Sequence, residues 1–191
     1  PPIGPGPGSN GDGLIRFTGT SAVDIRFTGL APIVDTVFAA SLTVNATDAA
    51  NNISITNGAA PRLIVAVDAF EPIEFNNKTQ LIVNGGDGVA GGDLADTVLI
   101  NFSNLPAGLT GITINADEGA DTVSLQAASS APVILNGGDG LDLINVGNNG
   151  VLGAPGLLTP IAGAVAVNGG AGGANLVVDG SGAGVAADYA I

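Results

Sequence analysis

The feature that most constrains this chain is a short block of sequence that recurs along it. Each block contains an apolar triplet, an Asn, a turn of small, Gly or acidic residues, and a second apolar strand. The clearest triplets begin at residues 42, 81, 112, 133 and 165, and their Asn residues are Asn45, Asn84, Asn115, Asn136 and Asn168. A further triplet at residue 63, in RLIVAVD, has Ala66 instead of Asn. The six starts are 21, 18, 31, 21 and 32 residues apart, which predicts a period of about 20 residues with two insertions.

Such a period predicts an all-β protein with the architecture of a parallel β-helix, or β-solenoid. One coil of about 20 residues cannot bury its apolar face alone, whereas stacked coils share a continuous core. We expect a right-handed coil, because most parallel crossover connections are right-handed. The alternative is an antiparallel β-sandwich, whose strands also recur at short intervals. The in-register repetition of the Asn-Gly turn favours the solenoid.

The composition changes near the start of the chain. Residues 1–13, PPIGPGPGSNGDG, predict a linker, because Pro and Gly prevent regular structure and Pro-rich segments act as spacers. We therefore expect a single β-solenoid domain over residues 14–191, joined to other domains of a larger chain. Within it, residues 14–40 contain the related segments LIRFTG (14–19) and DIRFTG (24–29), which predict a hairpin that caps the N-terminal end, or a first coil.

Charge and residue types exclude several functions. The chain has 17 acidic and 4 basic residues, a net charge of −13, and no base after Lys78, so it would be repelled by nucleic acid. It has no Cys and no His, which excludes disulfides, Cys- or His-based zinc sites and the usual Ser triad. No apolar run reaches the roughly 18 residues of a membrane span, so we expect no membrane insertion.

Paired carboxylates are the remaining catalytic signal. Asp93 with Asp96, and Asp139 with Asp142, have a spacing that a glycoside hydrolase could use, and parallel β-helices host many polysaccharide-active enzymes. The repeat itself produces such pairs, however, and the lyases of this architecture need a base that this half of the chain lacks. We predict that the protein is not an enzyme.

The acidic Gly-rich turns carry a resemblance. GGDGLDLIN (137–145) fits the nonapeptide G-G-x-G-x-D-x-U-x, while ADEGADTVS (116–124) and GGDLADTVL (91–99) fit it in part. This set resembles the calcium-binding RTX-type repeats of secreted bacterial proteins, and the β-solenoid repeats of large bacterial surface proteins and adhesins. The resemblance implies that Ca²⁺ lies between successive turns, bound by backbone carbonyls and Asp carboxylates.

Stacking in register would assemble two sets of ligands for Ca²⁺, a cation that takes six to eight oxygen ligands. One set, Asp96, Asp121 and Asp142, would share a corner of the stack, and a second, Asp87, Asp117 and Asp139, would line the neighbouring turn. The alternative is that these residues only stabilise tight turns through bonds to their own backbone. For the Asn column, the pattern favours a structural ladder of side-chain amides.

The favoured function is a structural or adhesive repeat module of a secreted or cell-surface protein. We expect a rigid rod whose partners are other domains of the larger chain, or neighbouring copies that meet it at the solenoid ends. The alternatives are an RTX-like calcium-binding module and, least favoured, a polysaccharide-active β-helix enzyme. Apart from Ca²⁺ no cofactor is expected.

Overall fold

The computed structural model describes residues 13–17, 23–27, 33–86, 91–147 and 155–183. Over these residues the protein is all-β, with fifteen strands and a single 3-10 turn at Ser181–Ala183. The strands are β1 (Gly13–Phe17), β2 (Val23–Phe27), β3 (Ile33–Asp35), β4 (Ala39–Asn45), β5 (Asn52–Asn57), β6 (Leu63–Val67), β7 (Ile73–Phe75), β8 (Lys78–Asn84), β9 (Thr97–Asn101), β10 (Gly111–Asn115), β11 (Thr122–Ala127), β12 (Val133–Asn136), β13 (Asp142–Val146), β14 (Val165–Asn168) and β15 (Ala174–Val178).

All strands except β1 and β2 lie in one of two sheets. A five-stranded sheet has the order β14-β12-β10-β8-β4, and an eight-stranded sheet has the order β15-β13-β11-β9-β5-β6-β7-β3. From β4 onward, apart from β6 and β7, the chain alternates between the two sheets. It thereby forms five strand–turn–strand units: unit 1 (β4–β5), unit 2 (β8–β9), unit 3 (β10–β11), unit 4 (β12–β13) and unit 5 (β14–β15). Each unit pairs in parallel with the next one in both sheets. Separately, β1 and β2 pair antiparallel.

The register of the five-stranded sheet matches the apolar triplets of the sequence. The first residues of the five triplets are aligned from strand to strand: Leu42, Leu81, Ile112, Val133 and Val165. These partners are 39, 31, 21 and 32 residues apart along the chain. Only the pairing of β10 with β12 has the predicted spacing of about 20, because longer connections separate the other units.

The triplet at residue 63 does not continue the parallel pairing, and that prediction is wrong. Strand β6 runs antiparallel to both β5 and β7. A tight turn reverses the chain after β5: the Gly58 amide donates to the Arg62 carbonyl at 3.0 Å, and the Arg62 amide donates to the Ala59 carbonyl at 2.8 Å. The chain therefore returns beside β5 in the same sheet instead of crossing to the other one.

A single hydrophobic cluster joins the two sheets. In the eight-stranded sheet, alternate residues of units 1 to 4 are buried, as in Val123 and Leu125 of unit 3. Burial of each such side chain contributes on the order of 1.5–3 kcal/mol. This burial ends in unit 5, where Leu176 and Val178 occupy the corresponding positions but are 51% and 43% exposed. Over the part of the chain that the structure describes, the core is therefore closed in the middle of the stack and open at unit 5.

The Asn column forms the ladder that the sequence predicts. Asn84 donates from Nδ2 to Oδ1 of Asn45, Asn115 donates to Asn84, and Asn136 donates to Asn115, each at 2.7 Å. In unit 5, Oδ1 of Asn168 instead accepts the Gly170 amide at 3.1 Å. The ladder fixes the register at the end of each first strand and so aligns the turns that follow.

Candidate functional site

The turns of the middle units lead into a stack of buried acidic residues. Asp96, Asp121 and Asp142 lie at the start of the second strand of units 2, 3 and 4, and each is at most 2% exposed. We call these three residues the aspartate column. Unit 1 has the buried Asn51 at this position, and unit 5 has Ala174. The first set of acids expected from the sequence is thus brought together.

Each carboxylate of the aspartate column uses one oxygen to accept an amide from the preceding unit. Oδ1 of Asp96 accepts the Asn51 amide at 2.8 Å, Oδ1 of Asp121 accepts the Asp96 amide at 2.7 Å, and Oδ1 of Asp142 accepts the Asp121 amide at 3.1 Å. The bonds all run in one direction along the stack. They tie neighbouring units together where the second strand begins.

The other oxygen of each carboxylate has no hydrogen-bond partner. Oδ2 of Asp96, of Asp121 and of Asp142 is buried and accepts no hydrogen bond. A Cβ placed on Gly85 would lie 2.5 Å from Oδ2 of Asp96 and 2.5 Å from the carbonyl oxygen of Ala116. Two acceptor oxygens therefore lie beside the same glycine without a donor between them, an arrangement that destabilises the ionised carboxylate.

Burial is the largest influence on the pKa values of Asp96 and Asp121. It raises the pKa of Asp96 to about 7 and the pKa of Asp121 to about 6. The amide hydrogen bonds from Asn51 and Asp96 lower these pKa values in part, and repulsion from neighbouring acids, Asp93 among them, raises both. The aspartate column is therefore a place where a proton or a cation stabilises the fold.

The second predicted set is not gathered in the same way. Asp117 and Asp139 are neighbours through the backbone, because the Asp139 amide donates to the Asp117 carbonyl at 2.9 Å. Oδ2 of Asp117 already accepts the Gly86 amide at 3.1 Å, and Asp139 is exposed. Asp87 lies outside the described residues. Among the described members of this set, no two carboxylates face a common space.

Asp93 belongs to the site although the sequence did not mark it as a ligand. Its Oδ2 is buried without a hydrogen-bond partner, and a Cβ on Gly86 would lie 3.2 Å from it. Desolvation raises the pKa of Asp93 to about 6, and repulsion from Asp117, Asp48 and Glu118 adds to the effect. The available signal was the spacing of Asp93 and Asp96 in GGDLAD, which suggested a catalytic pair instead of a binding site.

The donors present fit a hard, oxygen-binding cation such as Ca²⁺ better in one place than in the others. Over the described ranges, no three acidic side chains meet closely enough to form a metal site by themselves. Backbone carbonyls would have to complete the ligand set, as they do in many calcium sites. The turn of unit 2 offers the Asp96 carboxylate and the Ala116 carbonyl, whose oxygens both lie close to Gly85.

A buried ion pair lies in a different part of the protein. Lys78 is 1% exposed, and its Nζ lies 3.0 Å from Oδ1 of Asp35. It also donates to the carbonyls of Val37, at 2.5 Å, and Asn76, at 3.2 Å. A cavity of about 370 Å³ adjoins it between Phe38 and Gly108. All three ammonium hydrogens of Lys78 have acceptors, so this lysine is a structural residue.

Comparison with known proteins adds no assignment: no family model, no curated protein and no solved structure matches the chain. Within the part of the chain that the structure describes, no helix has the length and apolar character needed to cross a membrane. Conclusions about function therefore depend on the residues of this chain.

Proposed function

We propose that the chain is a β-solenoid module with a structural role in a secreted or cell-surface protein, where it acts as a rigid spacer and associates through one end. Five units that pair in parallel with their neighbours in both sheets support the solenoid over the antiparallel sandwich. The Asn ladder supports it too, because side-chain ladders of this kind require the same residue at the same position of successive strands that stack in register.

The observation that carries the proposal is the open end at unit 5. Leu176 continues the column of Val123 and Ile144, which are fully buried, yet it is 51% exposed. The sequences of β14 and β15, VAVN and ANLVV, contain no charge and no Pro. Soluble proteins usually protect sheet edges with such residues. Within the described residues β14 and β15 have no further strand beside them, and an apolar edge of this kind favours pairing with another chain segment. We assign this surface to contact with a second copy.

Sedimentation velocity over a range of concentrations tests the proposal. We expect the protein to self-associate, and Leu176→Lys to weaken the association by at least about tenfold, because a charge at the centre of an apolar contact is strongly unfavourable. Leu141→Lys is the matched control, since Leu141 is also exposed, at 62%, but lies in the turn of unit 4. A protein that remains monomeric at every concentration would contradict self-association.

A second candidate function, calcium binding, is favoured by the buried Oδ2 atoms of the aspartate column. A ligand that binds the folded state raises the melting temperature by mass action. The test compares thermal unfolding in Ca²⁺, in Mg²⁺ and in chelator, and we expect a higher melting temperature in Ca²⁺ than in the other two. Identical melting curves in all three solutions would exclude this function.

A further inference from the structure

We propose that one divalent cation, with Ca²⁺ preferred, binds between units 2 and 3 on the carboxylates of Asp93 and Asp96 and the main-chain carbonyl of Ala116. The proposal rests on the calcium-binding candidate function and specifies its site. It differs from the nonapeptide pattern, which draws its ligands from every Gly-rich turn and gives no role to Asp93.

Asp96 provides the first observation. Its side chain is 98% buried, given its 2% exposure, and Oδ2 has no hydrogen-bond partner. That oxygen and the Ala116 carbonyl both lie 2.5 Å from the point where a Cβ of Gly85 would stand. An ionised carboxylate next to a carbonyl is unfavourable unless a positive charge lies between them. Because each oxygen lies 2.5 Å from the same point, the two are close enough together for one cation to contact both at calcium–oxygen distances of about 2.3–2.6 Å.

Asp93 provides the second carboxylate. Its Oδ2 is also buried without a partner and lies on the side of Gly86, the residue that follows Gly85 in the same turn. Repulsion from Asp93 is the largest charge effect of any neighbouring acid on Asp96. Two unpartnered carboxylate oxygens that lie beside adjacent glycines of one turn are stabilised together by one divalent ion.

The interfaces between the other neighbouring units lack this combination of two carboxylates and a carbonyl. In unit 3, Ala116 places a methyl group where units 2 and 4 have Gly85 and Gly137. In unit 4, Oδ2 of Asp142 faces the turn of unit 5, in which residues 169–174, GGAGGA, carry no acid. Within the described residues, only the interface between units 2 and 3 joins two unpartnered carboxylate oxygens and a carbonyl. One ion per chain follows from this difference.

The ligand types indicate which ion binds. Ca²⁺ accepts six to eight oxygens in a flexible geometry, whereas Mg²⁺ requires a near-ideal octahedron and loses its water reluctantly. Two carboxylates and one carbonyl leave several positions for water, which suits the weaker class of calcium sites, with Kd on the order of 0.1–1 mM. Asp117 and Glu118 add negative charge nearby, because their side chains accept the Gly86 and Gly92 amides.

Calorimetric titration of the full chain with CaCl₂ at pH 8 tests the site. We expect about one Ca²⁺ per chain, and Asp93→Asn to weaken binding by at least about tenfold, because it removes a charged ligand. Glu71→Gln has the same charge change away from these turns and serves as the control, with the affinity within about twofold of the original. Asp96→Asn provides a second test at the buried ligand. Melting temperatures in chelator confirm that each variant is folded.

Two results would overturn the assignment. If Asp139→Asn abolishes binding and Asp93→Asn does not, the ion lies at the nonapeptide of unit 4, and calcium binding remains the function at another site. If the unmodified chain shows neither binding heat nor a shift in melting temperature up to about 10 mM Ca²⁺, well above the Kd range of such sites, both the site and the function are excluded.

Discussion

The backbone amide of Asp96 donates to Oδ1 of Asp121, one unit further along the stack, at 2.7 Å. At this corner of the stack, the side chain of one unit accepts a main-chain amide of the preceding unit, a role that a main-chain carbonyl has in regular strand pairing. The same bond leaves Oδ2 buried and without a donor. One oxygen of the Asp121 carboxylate thus stabilises the stack by accepting a hydrogen bond. The other oxygen makes the ionised form of the carboxylate unfavourable, because it is buried without a donor.

The first prediction concerns pH. The folded state raises the pKa of Asp96 to about 7 and that of Asp121 to about 6, so it retains protons that the unfolded chain loses near pH 4. The stability that protonation of Asp96 and Asp121 contributes in chelator is therefore fully present below about pH 4 and is lost as the pH rises toward 7. The pKa values of Glu74 and Asp179 are lowered, so their opposite effect falls at lower pH. Urea midpoints measured between pH 4.5 and 8 with chelator test this, and midpoints that rise across this range would contradict it.

The second prediction is that Asp96→Asn stabilises the cation-free protein at pH 8. The amide keeps an acceptor for the Asn51 N–H and gains a donor that faces the Ala116 carbonyl. Asn51 is a precedent at the same position in unit 1, where its Nδ2 donates to Thr47 and Asp68 at 3.0 and 2.6 Å. We expect a higher melting temperature in chelator, by a few degrees for about 1 kcal/mol, together with a smaller pH dependence.

Glu71→Gln is the control for this prediction, because it removes one negative charge without changing the aspartate column. An Asp96→Asn protein that melts below the unmodified protein at pH 8 in chelator would show that contacts other than the hydrogen bond from the Asn51 amide stabilise the carboxylate.

The register of the stack could be read from the sequence because it depends on side chains that recur in the same place. An Asn after each apolar triplet predicts an amide ladder, and the ladder from Asn45 to Asn136 is present. Asp121 and Asp142 lie six residues after the Asn of their units, whereas Asp96 lies twelve residues after Asn84 and is aligned through the sequence ADTV that it shares with Asp121. Each of these residues occupies a fixed place in its own turn, and stacking of the units then brings the equivalent residues together.

Other features of the fold could not be predicted from the sequence in this way. Strand β6 has the alternation of buried and exposed residues that a parallel strand also has, so its antiparallel direction depends on the turn between Gly58 and Arg62. Strands β3 and β7 have three residues each, too few to show a period. Asp93 lies in an insertion of unit 2 that no other unit shares, so no repeat comparison could mark it as a partner of Asp96.

A third prediction separates the closed middle of the core from its open end. Leu125 in unit 3 is fully buried, and Leu125→Ala should reduce the free energy of unfolding by about 2–5 kcal/mol through lost burial and a cavity. Leu176→Ala removes the same atoms from a side chain that is 51% exposed in unit 5, so in dilute protein it should cost less than about 1.5 kcal/mol. Chemical unfolding at low concentration measures both. Equal losses would mean that unit 5 is as well covered as unit 3.

The last prediction concerns two glycines with left-handed backbones. Gly138 has φ of 104° and Gly173 has φ of 81°, so Ala at either position is strained by about 1–2 kcal/mol. A Cβ on Gly173 would meet no atom within 4 Å, whereas a Cβ on Gly138 would collide with the carbonyl oxygen of Asp117 in the preceding unit. Gly138→Ala should therefore destabilise the protein clearly more than Gly173→Ala does.

Urea unfolding in chelator at one pH compares these two variants directly, with Gly173→Ala as the control for backbone strain alone. The difference between them reports how closely the turns of units 3 and 4 are stacked, because only the collision with Asp117 distinguishes the two substitutions. If both variants lose the same free energy of unfolding, the turns of units 3 and 4 separate at little cost, and they could not hold neighbouring carboxylates at a fixed distance from the adjacent turn.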